Sequence, residues 1–274
     1  MTFQHIQAVI LDWAGTAVDF GSRAPVAALR RVFESAGIPL SPAEARQDMG
    51  RLKMDHIRAI LEQPRVNAAW QSLHGAPPRE RDVELLFTEF LPAQADVLEA
   101  YGDVIPGVAT TVENWRAAGL RIGSTTGYTR DLMEIVRARA AQQGYAPDVN
   151  VTPDMVGGGR PLPFMMYRNA IELRAWPLWA CVKIGDTPVD VQEGLNAGAW
   201  SIGITSTGNE VGLSEEELSA LPAGERRRRI DGAGKALAGA GAHFTAASVA
   251  ECDELLDEID RRLAAGCGPW EPRA

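Results

Sequence analysis

The sequence predicts an α/β fold, in which a Rossmann-like parallel-sheet core carries an inserted all-helical cap domain. Short apolar runs alternate with helix-length amphipathic segments, which is the pattern of a parallel sheet covered by helices. One block, residues 21–102, interrupts this alternation with helical segments only. Carboxylates directly follow two of the apolar runs, and ligands of open parallel sheets bind beyond the carboxyl ends of the strands.

The expected strands are short and apolar. They are AVIL at 8–11, RIGST at 121–125, CVKIG at 181–185 and SIGI at 201–204, with further strands near 147–152 and at 242–245. Helices are expected between them at 129–143 and 188–198, and Gly198 is the expected C-cap of the second. The segment 206–241 is rich in glycine and alanine, and its pattern assigns it no element.

The inserted block has its own helix signals. Apolar residues recur at helical spacing between Pro25 and Gly37, which favour a helix start and a helix end. Ser41 is expected as the N-cap of the next helix. The expected division is an α/β catalytic core of residues 1–20 and 103–274 and a helical cap domain of residues 21–102.

Composition and charge exclude several classes of protein. The chain has 274 residues, 27 Lys and Arg against 36 Asp and Glu, and a formal net charge of −9, which argues against a nucleic-acid-binding surface. No stretch approaches the roughly 20 apolar residues that span a bilayer, and the N-terminus has no basic flank of a signal peptide. The three cysteines lack metal or redox spacing. We therefore expect a cytoplasmic protein without nucleic-acid or membrane partners.

Polar residues at the strand ends are expected to meet in one crevice. Asp12 follows the first strand, Thr126 the second, and Asp186 and Asp190 follow CVKIG. Each aspartate alone is more often a turn former or a helix cap. Gathered together, carboxylates repel one another unless a cation lies among them, and hard oxygen ligands suit Mg²⁺.

The combination AVILDWAGT with IGDTPVD resembles the haloacid dehalogenase superfamily, over nearly the whole chain and with the inserted cap included. This resemblance implies that Asp12 is a nucleophile that forms an aspartyl phosphate. It implies that Mg²⁺ is held by Asp12, the carbonyl of Ala14 and Asp186, with Asp190 in support, and that Thr126 binds a phosphoryl oxygen.

The superfamily also places a cation on the phosphoryl group, usually a lysine in a GKPxP stretch. GGRPLP at 158–163 offers Arg160 at that place, and a guanidinium can bind two phosphoryl oxygens at once. Lys183 is the competing cation, but it lies within a predicted strand and is expected to be a structural neighbour.

Ala14 departs from the phosphatases of the superfamily, which carry an acid two positions after the nucleophile. That acid protonates the leaving alkoxide. Either the chain is not a phosphatase, or it is inactive, or its leaving group is not an oxygen. Two functions remain as alternatives to the carbon–phosphorus cleavage considered next. They are a haloacid dehalogenase-like phosphatase acting on a small phosphate ester and an idle phosphate-binding protein.

A carbon leaving group next to an aldehyde becomes better when a lysine forms a Schiff base, because an enamine then departs. If 48–61 is one helix, Met49, Lys53 and His56 share a face. Lysines on helices are usually just exposed. However, LDWAGTAVD, MGRLKMDHI, IGSTTGYTR and IGDTPVDVQEG together are similar to segments of the superfamily members that cleave carbon–phosphorus bonds.

This narrower resemblance implies hydrolysis of the C–P bond of phosphonoacetaldehyde to acetaldehyde and phosphate. Lys53 is then the Schiff-base lysine, with His56 as a proton shuttle, and the chain is a homodimer. Burial and the charge of Arg51 are expected to lower the pKa of Lys53. Tyr128 and Met49 either contact substrate or only fill space.

Overall fold

The computed structural model describes residues 2–271 of the chain. Within that range, six short strands form one parallel sheet. In chain order they are β1 Ala8–Leu11, β2 Arg121–Thr125, β3 Val149–Val151, β4 Cys181–Gly185, β5 Trp200–Ile204 and β6 Phe244–Ala246. The order across the sheet is β3-β2-β1-β4-β5-β6. Strands β2 and β3 are added on one side of β1 and strands β4 to β6 on the other, so the strand order switches between β1 and β4. The predicted α/β fold is confirmed.

Helices account for most of the remaining described chain. They are α1 Ala24–Ser35, α2 Pro42–Arg46, α3 Lys53–Glu62, α4 Pro64–His74, α5 Glu80–Tyr101, α6 Val108–Ala117, α7 Arg130–Gln142, α8 Phe164–Leu173, α9 Pro188–Asn196, α10 Glu215–Ala220, α11 Ala223–Ala240 and α12 Asp253–Ala264. Among the helices of residues 2–271, none has both the length and the apolar character needed to cross a membrane.

The central strand β1 shows how the apolar run sets the core. Its residues are all buried, and successive side chains of a strand point to opposite faces. Val9 and Leu11 pack into the large cluster on one side of the sheet, while Ala8 and Ile10 pack into a smaller cluster on the other. Both faces are therefore covered, as a continuous apolar run predicts for a parallel strand.

The strand register brings the predicted polar residues to one edge of the sheet. Leu11 pairs with Ser124 of β2 and with Ile184 of β4. Asp12, which follows Leu11, therefore comes level with Thr125 and Gly185 at the carboxyl end of the sheet, and Thr126 and Asp186 lie one residue further on. The amide of Asp12 donates a hydrogen bond of 2.9 Å to the carbonyl of Ile184, which fixes this level.

Helices α1 to α5 lie between β1 and β2 in the chain and have their own apolar cluster. Its fully buried members include Leu29, Phe33, Ile57, Ile60 and Phe90. This cluster is separate from the clusters on the two faces of the sheet. The exact division of the chain at 20/21 and 102/103 stays a prediction.

The structure adds elements where the pattern assigned none. Segment 206–241 contains α10 and α11, and α10 begins with a capping box formed by Ser214 and Glu217. The last strand is β6 at Phe244–Ala246, two residues beyond the predicted start. The reason is that α11 continues to Ala240 and ends at Gly241, whose φ is +110°.

Phe90→Ala is expected to lower the free energy of unfolding by about 3–5 kcal/mol, because a fully buried ring leaves a cavity among the cap helices. Glu89→Ala, the neighbouring residue on the same helix but exposed, is the matched control and should change it by less than about 0.5 kcal/mol. Urea unfolding followed by circular dichroism measures both. Equal effects of the two substitutions would contradict the described packing.

Candidate active site

The polar residues at the carboxyl ends of β1 and β4 lie where the order of the sheet reverses. In open α/β sheets this position opens a crevice for ligands. Asp12 follows β1 and Asp186 follows β4, while Asp190 lies in the first turn of α9. Ligand oxygens of these three buried carboxylates lie within 4.8 Å of one another.

Burial disfavours the charged forms of the carboxyl groups in this cluster. Burial is the largest cause that raises the pKa of Asp12, and the charge of Arg160 opposes it. The pKa of Asp186 is raised well above its ordinary value, by burial and then by the charges of Asp12 and Asp190. Such a group of carboxylates is stabilised by a positive charge among them, and the all-oxygen donor set fits a hard divalent cation.

Gly15 allows the carboxylate of Asp186 to lie close to the loop that follows β1. Its φ is +84°, and a Cβ there would lie 2.2 Å from Oδ2 of Asp186. That oxygen accepts a hydrogen bond of 2.7 Å from the amide of Asn209, and Oδ1 accepts one of 3.2 Å from the Thr16 hydroxyl. Asp186 is therefore held in one orientation by the loops on both sides.

The backbone around Ala14 also fits the predicted metal ligand. Ala14 forms a bridge with Val18, but the hydrogen bonds of that bridge run from Gly15 N to Val18 O at 2.7 Å and from Val18 N to Trp13 O at 2.9 Å. The bridge does not use the carbonyl of Ala14. Ala14 itself lines the pocket above the carboxylates, where its methyl group has no proton to donate.

Arg160 is the cation that reaches the nucleophile candidate. Its Nη2 lies 2.6 Å from Oδ1 of Asp12, and its Nη1 lies 3.0 Å from Oδ1 of Asp190. Lys183 lies behind it, with Nζ 2.9 Å from the same oxygen of Asp190, and Lys183 is not among the residues that line the pocket. Burial alone would raise the pKa of Asp190, but the charges of Arg160 and Lys183 lower it below its ordinary value.

Lys53 reaches the same pocket from the cap side. It is 2% exposed and lines the pocket together with Asp12, Thr126 and Arg160. Burial lowers the pKa of Lys53 to about 8; the charge of Asp12 raises it, and that of Arg160 lowers it further. The expected contribution of Arg51 is not among these causes, and Arg51 instead forms an ion pair of 2.8 Å with Asp48.

The condition that residues 48–61 form one helix is not met. Helix α3 begins at Lys53, and Gly50 has a φ of +90°, which a helix cannot contain. Met49 therefore lies in the preceding turn. It still meets Lys53, because Nζ lies 3.6 Å from the sulfur of Met49, so the predicted neighbours come together by a turn instead of a helix face.

His56 lies one turn after Lys53 on α3 and is completely buried. Its pKa is lowered well below its ordinary value, first by burial and then by the charge of Lys53, while the carbonyls of Gln47 and Ala45 oppose this. The imidazole is thus neutral. It is not among the residues lining the pocket, so the structure places it beside Lys53 and behind the pocket wall.

Tyr128 and Thr126 complete the wall on the core side. The ring of Tyr128 has its centroid 5.9 Å from Nζ of Lys53, and the hydroxyl of Thr126 accepts a hydrogen bond of 3.1 Å from the amide of Tyr128. The pKa of Tyr128 is raised well above its ordinary value by burial and then by the charges of Asp19 and Asp12. The phenol therefore stays neutral.

Two glycines allow the cap and the core to come into close contact at this pocket. A Cβ at Gly50 would lie 2.5 Å from the Thr187 hydroxyl oxygen, and one at Gly127 would lie 3.0 Å from the carbonyl oxygen of Arg51. Segment 48–52 of the cap therefore lies directly on the core loops that follow β2 and β4. This contact brings Lys53 to the same pocket as Asp12.

Sequence reasoning missed three residues of the site: Thr125, Glu193 and Asn209. Glu193 is fully buried and lies 3.0 Å from Nε of Arg160. Its position three residues after Asp190 on α9 was a usable signal, because residues so spaced share a helix face. Asn209 contributes its backbone amide, and no side-chain pattern could have indicated that contact.

Comparison with known proteins gives the family of the chain. Residues 6–198 match the family model for haloacid dehalogenase-like hydrolases. Proteins named phosphonoacetaldehyde hydrolase are similar over nearly their whole length: one from Syntrophobacter fumaroxidans is 44% identical, covering 95% of this chain and 94% of the relative. One from Bacillus cereus is 42% identical, covering 94% and 97%.

A solved structure is similar in fold as well as in sequence. It is described as a phosphonoacetaldehyde hydrolase-like protein from Oleispira antarctica, with a TM-score of 0.95, 38% identity and 98% of each chain covered. These likenesses confirm the predicted superfamily. The chain therefore belongs to the haloacid dehalogenase-like hydrolase family, as an enzyme that groups with relatives named phosphonoacetaldehyde hydrolase.

Proposed function

We propose that the chain hydrolyses the C–P bond of phosphonoacetaldehyde to acetaldehyde and phosphate, through a Schiff base on Lys53 and an aspartyl phosphate on Asp12. The observation that carries this proposal is a buried lysine, with a pKa of about 8, that shares a small pocket with a buried aspartate. The names of the relatives support the same substrate.

The first step takes place on the cap side. The neutral amine of Lys53 attacks the aldehyde carbon, and the oxygen of the resulting carbinolamine takes up a proton and leaves as water, which gives a protonated imine. We assign to His56 the transfer of a proton to and from Lys53, since its neutral imidazole lies one helix turn away. Met49 and Tyr128, which flank the amine, are assigned to the binding of the substrate carbon chain.

The second step takes place on the core side. A carboxylate oxygen of Asp12 attacks phosphorus, while Arg160 and Thr126 bind phosphoryl oxygens. The C–P bond breaks, and its electron pair moves to the protonated imine, so that a neutral enamine remains on Lys53. A carbanion or enolate would be a much worse leaving group, which is why the amine is needed.

Two hydrolyses complete the cycle. Protonation of the enamine carbon and attack of water on the imine release acetaldehyde and free Lys53. Attack of water on the aspartyl phosphate releases phosphate and free Asp12. Since imine formation releases one water, the whole cycle consumes one.

A divalent cation, proposed as Mg²⁺, would be held by Asp12, the carbonyl of Ala14 and Asp186, with Asp190 in support. The cluster of carboxylates fits it. When bound, such an ion supplies positive charge for the phosphoryl oxygens.

The rival function is hydrolysis of a small phosphate ester. Such a leaving alkoxide needs a proton, and Ala14 stands in the pocket where related phosphatases carry an acid. The enamine proposed here leaves without that proton. The geometry therefore favours the phosphonate.

Acetaldehyde release from phosphonoacetaldehyde, followed through an NADH-consuming dehydrogenase, is the test of this function. Release should stop when divalent cations are chelated and return with Mg²⁺. Lys53→Arg, which keeps a charge but forms no imine, should lower the rate by roughly 10³-fold or more. Borohydride in the presence of acetaldehyde should attach an ethyl group to Lys53.

Lys235→Arg is the matched control for that test, because Lys235 is an exposed lysine of α11 far along the chain from the site. It should keep full activity and full borohydride labelling. If the chain instead hydrolyses p-nitrophenyl phosphate and releases no acetaldehyde, the phosphonate proposal is wrong.

The pH dependence follows from Lys53. Its pKa is lowered to about 8 by burial, and only the unprotonated amine attacks the aldehyde, so kcat/KM should rise with pH and level off above about 8. Steady-state rates over a pH series measure this. A profile that is flat for one unit on either side of that value would contradict the role of the amine.

The family resemblance also leads us to propose a homodimer in a reducing cytoplasm. Exposed apolar side chains of the cap, Leu73 and Leu85, support an interface there, and the three cysteines are free. Sedimentation should give about twice the chain mass of 29.5 kDa, and a single-chain mass would contradict the dimer.

A further inference from the structure

Three buried side chains next to Arg160 have no part in the proposed reaction. They are Thr125 at the end of β2, Lys183 within β4 and Glu193 on α9. We propose that they form a clamp that orients the Arg160 guanidinium toward the phosphoryl site, so that they are positioning residues. This inference rests on the proposed role of Arg160 as a phosphoryl-binding cation.

The Thr125 hydroxyl is the centre of the clamp. Its oxygen accepts hydrogen bonds from Nη2 of Arg160 at 2.7 Å and from Nζ of Lys183 at 2.9 Å. The hydroxyl donates to Oε2 of Glu193 at 2.9 Å. A hydroxyl has one donor and two acceptor positions, and all three are occupied. Its orientation is consequently determined by charged groups on every side.

Glu193 holds the other end of the guanidinium. Its Oε2 accepts a hydrogen bond of 3.0 Å from Nε of Arg160, and the same oxygen lies 3.4 Å from Nζ of Lys183. A guanidinium is rigid and planar. Contacts at Nε and at Nη2 therefore fix both its plane and its rotation within that plane.

Charge balance explains why Lys183 is part of the clamp. Arg160 contacts three carboxylates, those of Asp12, Asp190 and Glu193. A single cation cannot neutralise three buried carboxylates, and unpaired buried charge is costly. Lys183 contacts Asp190 and Glu193 but, in the described contacts, not Asp12. It thus neutralises the two carboxylates behind Arg160, which leaves the Nη2 side directed to Asp12.

The backbone that carries Arg160 is a reason for such a clamp. Arg160 lies in a turn directly after Gly157, Gly158 and Gly159, outside any helix or strand. Glycine-rich loops hold side chains less precisely than regular elements do. The clamp residues come from strands and a helix, and α9 approaches β4 closely, since a Cβ at Gly194 would lie 2.8 Å from Cβ of Lys183.

Thr125 also connects the clamp to the pocket through the chain. Neighbouring side chains at a strand end point to opposite sides. Thr126 lines the pocket, whereas Thr125 is not among the residues that line it. The end of β2 thus supplies one hydroxyl to the pocket and one to the cation behind it.

The experiment compares Thr125→Val with Thr125→Ser, with Mg²⁺ present throughout. Valine keeps the shape but removes the hydroxyl, and serine keeps the hydroxyl. Calorimetry should show that Thr125→Val weakens binding of inorganic phosphate roughly tenfold to a hundredfold, because a hydrogen bond to a charged group is lost. Thr125→Ser should restore most of the affinity. Labelling of Lys53 by acetaldehyde and borohydride should stay at the wild-type level, since the variant keeps the charge of Arg160 and burial remains the largest cause of the lowered pKa of Lys53.

Thr152→Val is the matched control. Thr152 is also buried, and its hydroxyl has no hydrogen-bond partner in the described structure, so this variant should bind phosphate like the wild type. If Thr125→Val does not fold, Thr125→Ala removes the same hydroxyl from a smaller side chain and should weaken phosphate binding in the same direction.

Two results would overturn the clamp. One is wild-type phosphate affinity in the variant that lacks the hydroxyl. The other is an equal loss of phosphate binding and Lys53 labelling, which would indicate general loosening of the fold. Phosphate binding needs no turnover, so a wild type that releases no acetaldehyde would refute the proposed function while leaving this comparison intact.

Discussion

Burial of several carboxyl groups at the carboxyl ends of β1 and β4 is the constraint around which the site is built. The group consists of Asp12, Asp186, Asp190 and Glu193. Carboxylates removed from water and placed side by side take up protons unless positive charge compensates them. Arg160 and Lys183 supply such charge from the loop before α8 and from β4. The raised pKa values of Asp12 and Asp186 indicate that these two cations do not compensate all of it, and this remainder is what a bound divalent cation would balance.

The same charges act on the cap. A Schiff-base lysine must lose its proton, although it lies beside carboxylates that favour the protonated form. Burial decides the outcome, since it is the largest cause that lowers the pKa of Lys53, and the positive charge of Arg160 adds to it. The chemistry proposed here therefore depends on segment 48–52 lying closely on the core. Gly50 and Gly127 permit that contact, and a cap held further away would leave Lys53 hydrated and protonated.

Much of the fold could be predicted because the strands are buried on both faces. The apolar runs of β1, β2 and β4 have the bounds that the sequence indicates. Each run is short and apolar, so its pattern matches a buried strand. Helices of the 206–241 segment were missed, although the capping box of Ser214 and Glu217 signals the start of one. Their composition is rich in glycine and alanine, so the apolar periodicity is weak. That residues 48–52 do not belong to α3 could not be read from apolar spacing, because spacing does not reveal a positive φ at Gly50.

For the site, the sequence by itself determined the chemistry that is present: which carboxylates follow which strands, that an arginine stands in the place of a lysine, and that Ala14 offers no acid. Linear motifs carry this information because each motif is local to one strand end. Only the tertiary structure decided which of Arg160 and Lys183 contacts Asp12, that Glu193 and Thr125 lie behind Arg160, and that Lys53 shares a pocket with Asp12. These contacts join residues far apart in the chain, and they depend on the register of the sheet and on the seating of the cap, which no single stretch of sequence encodes.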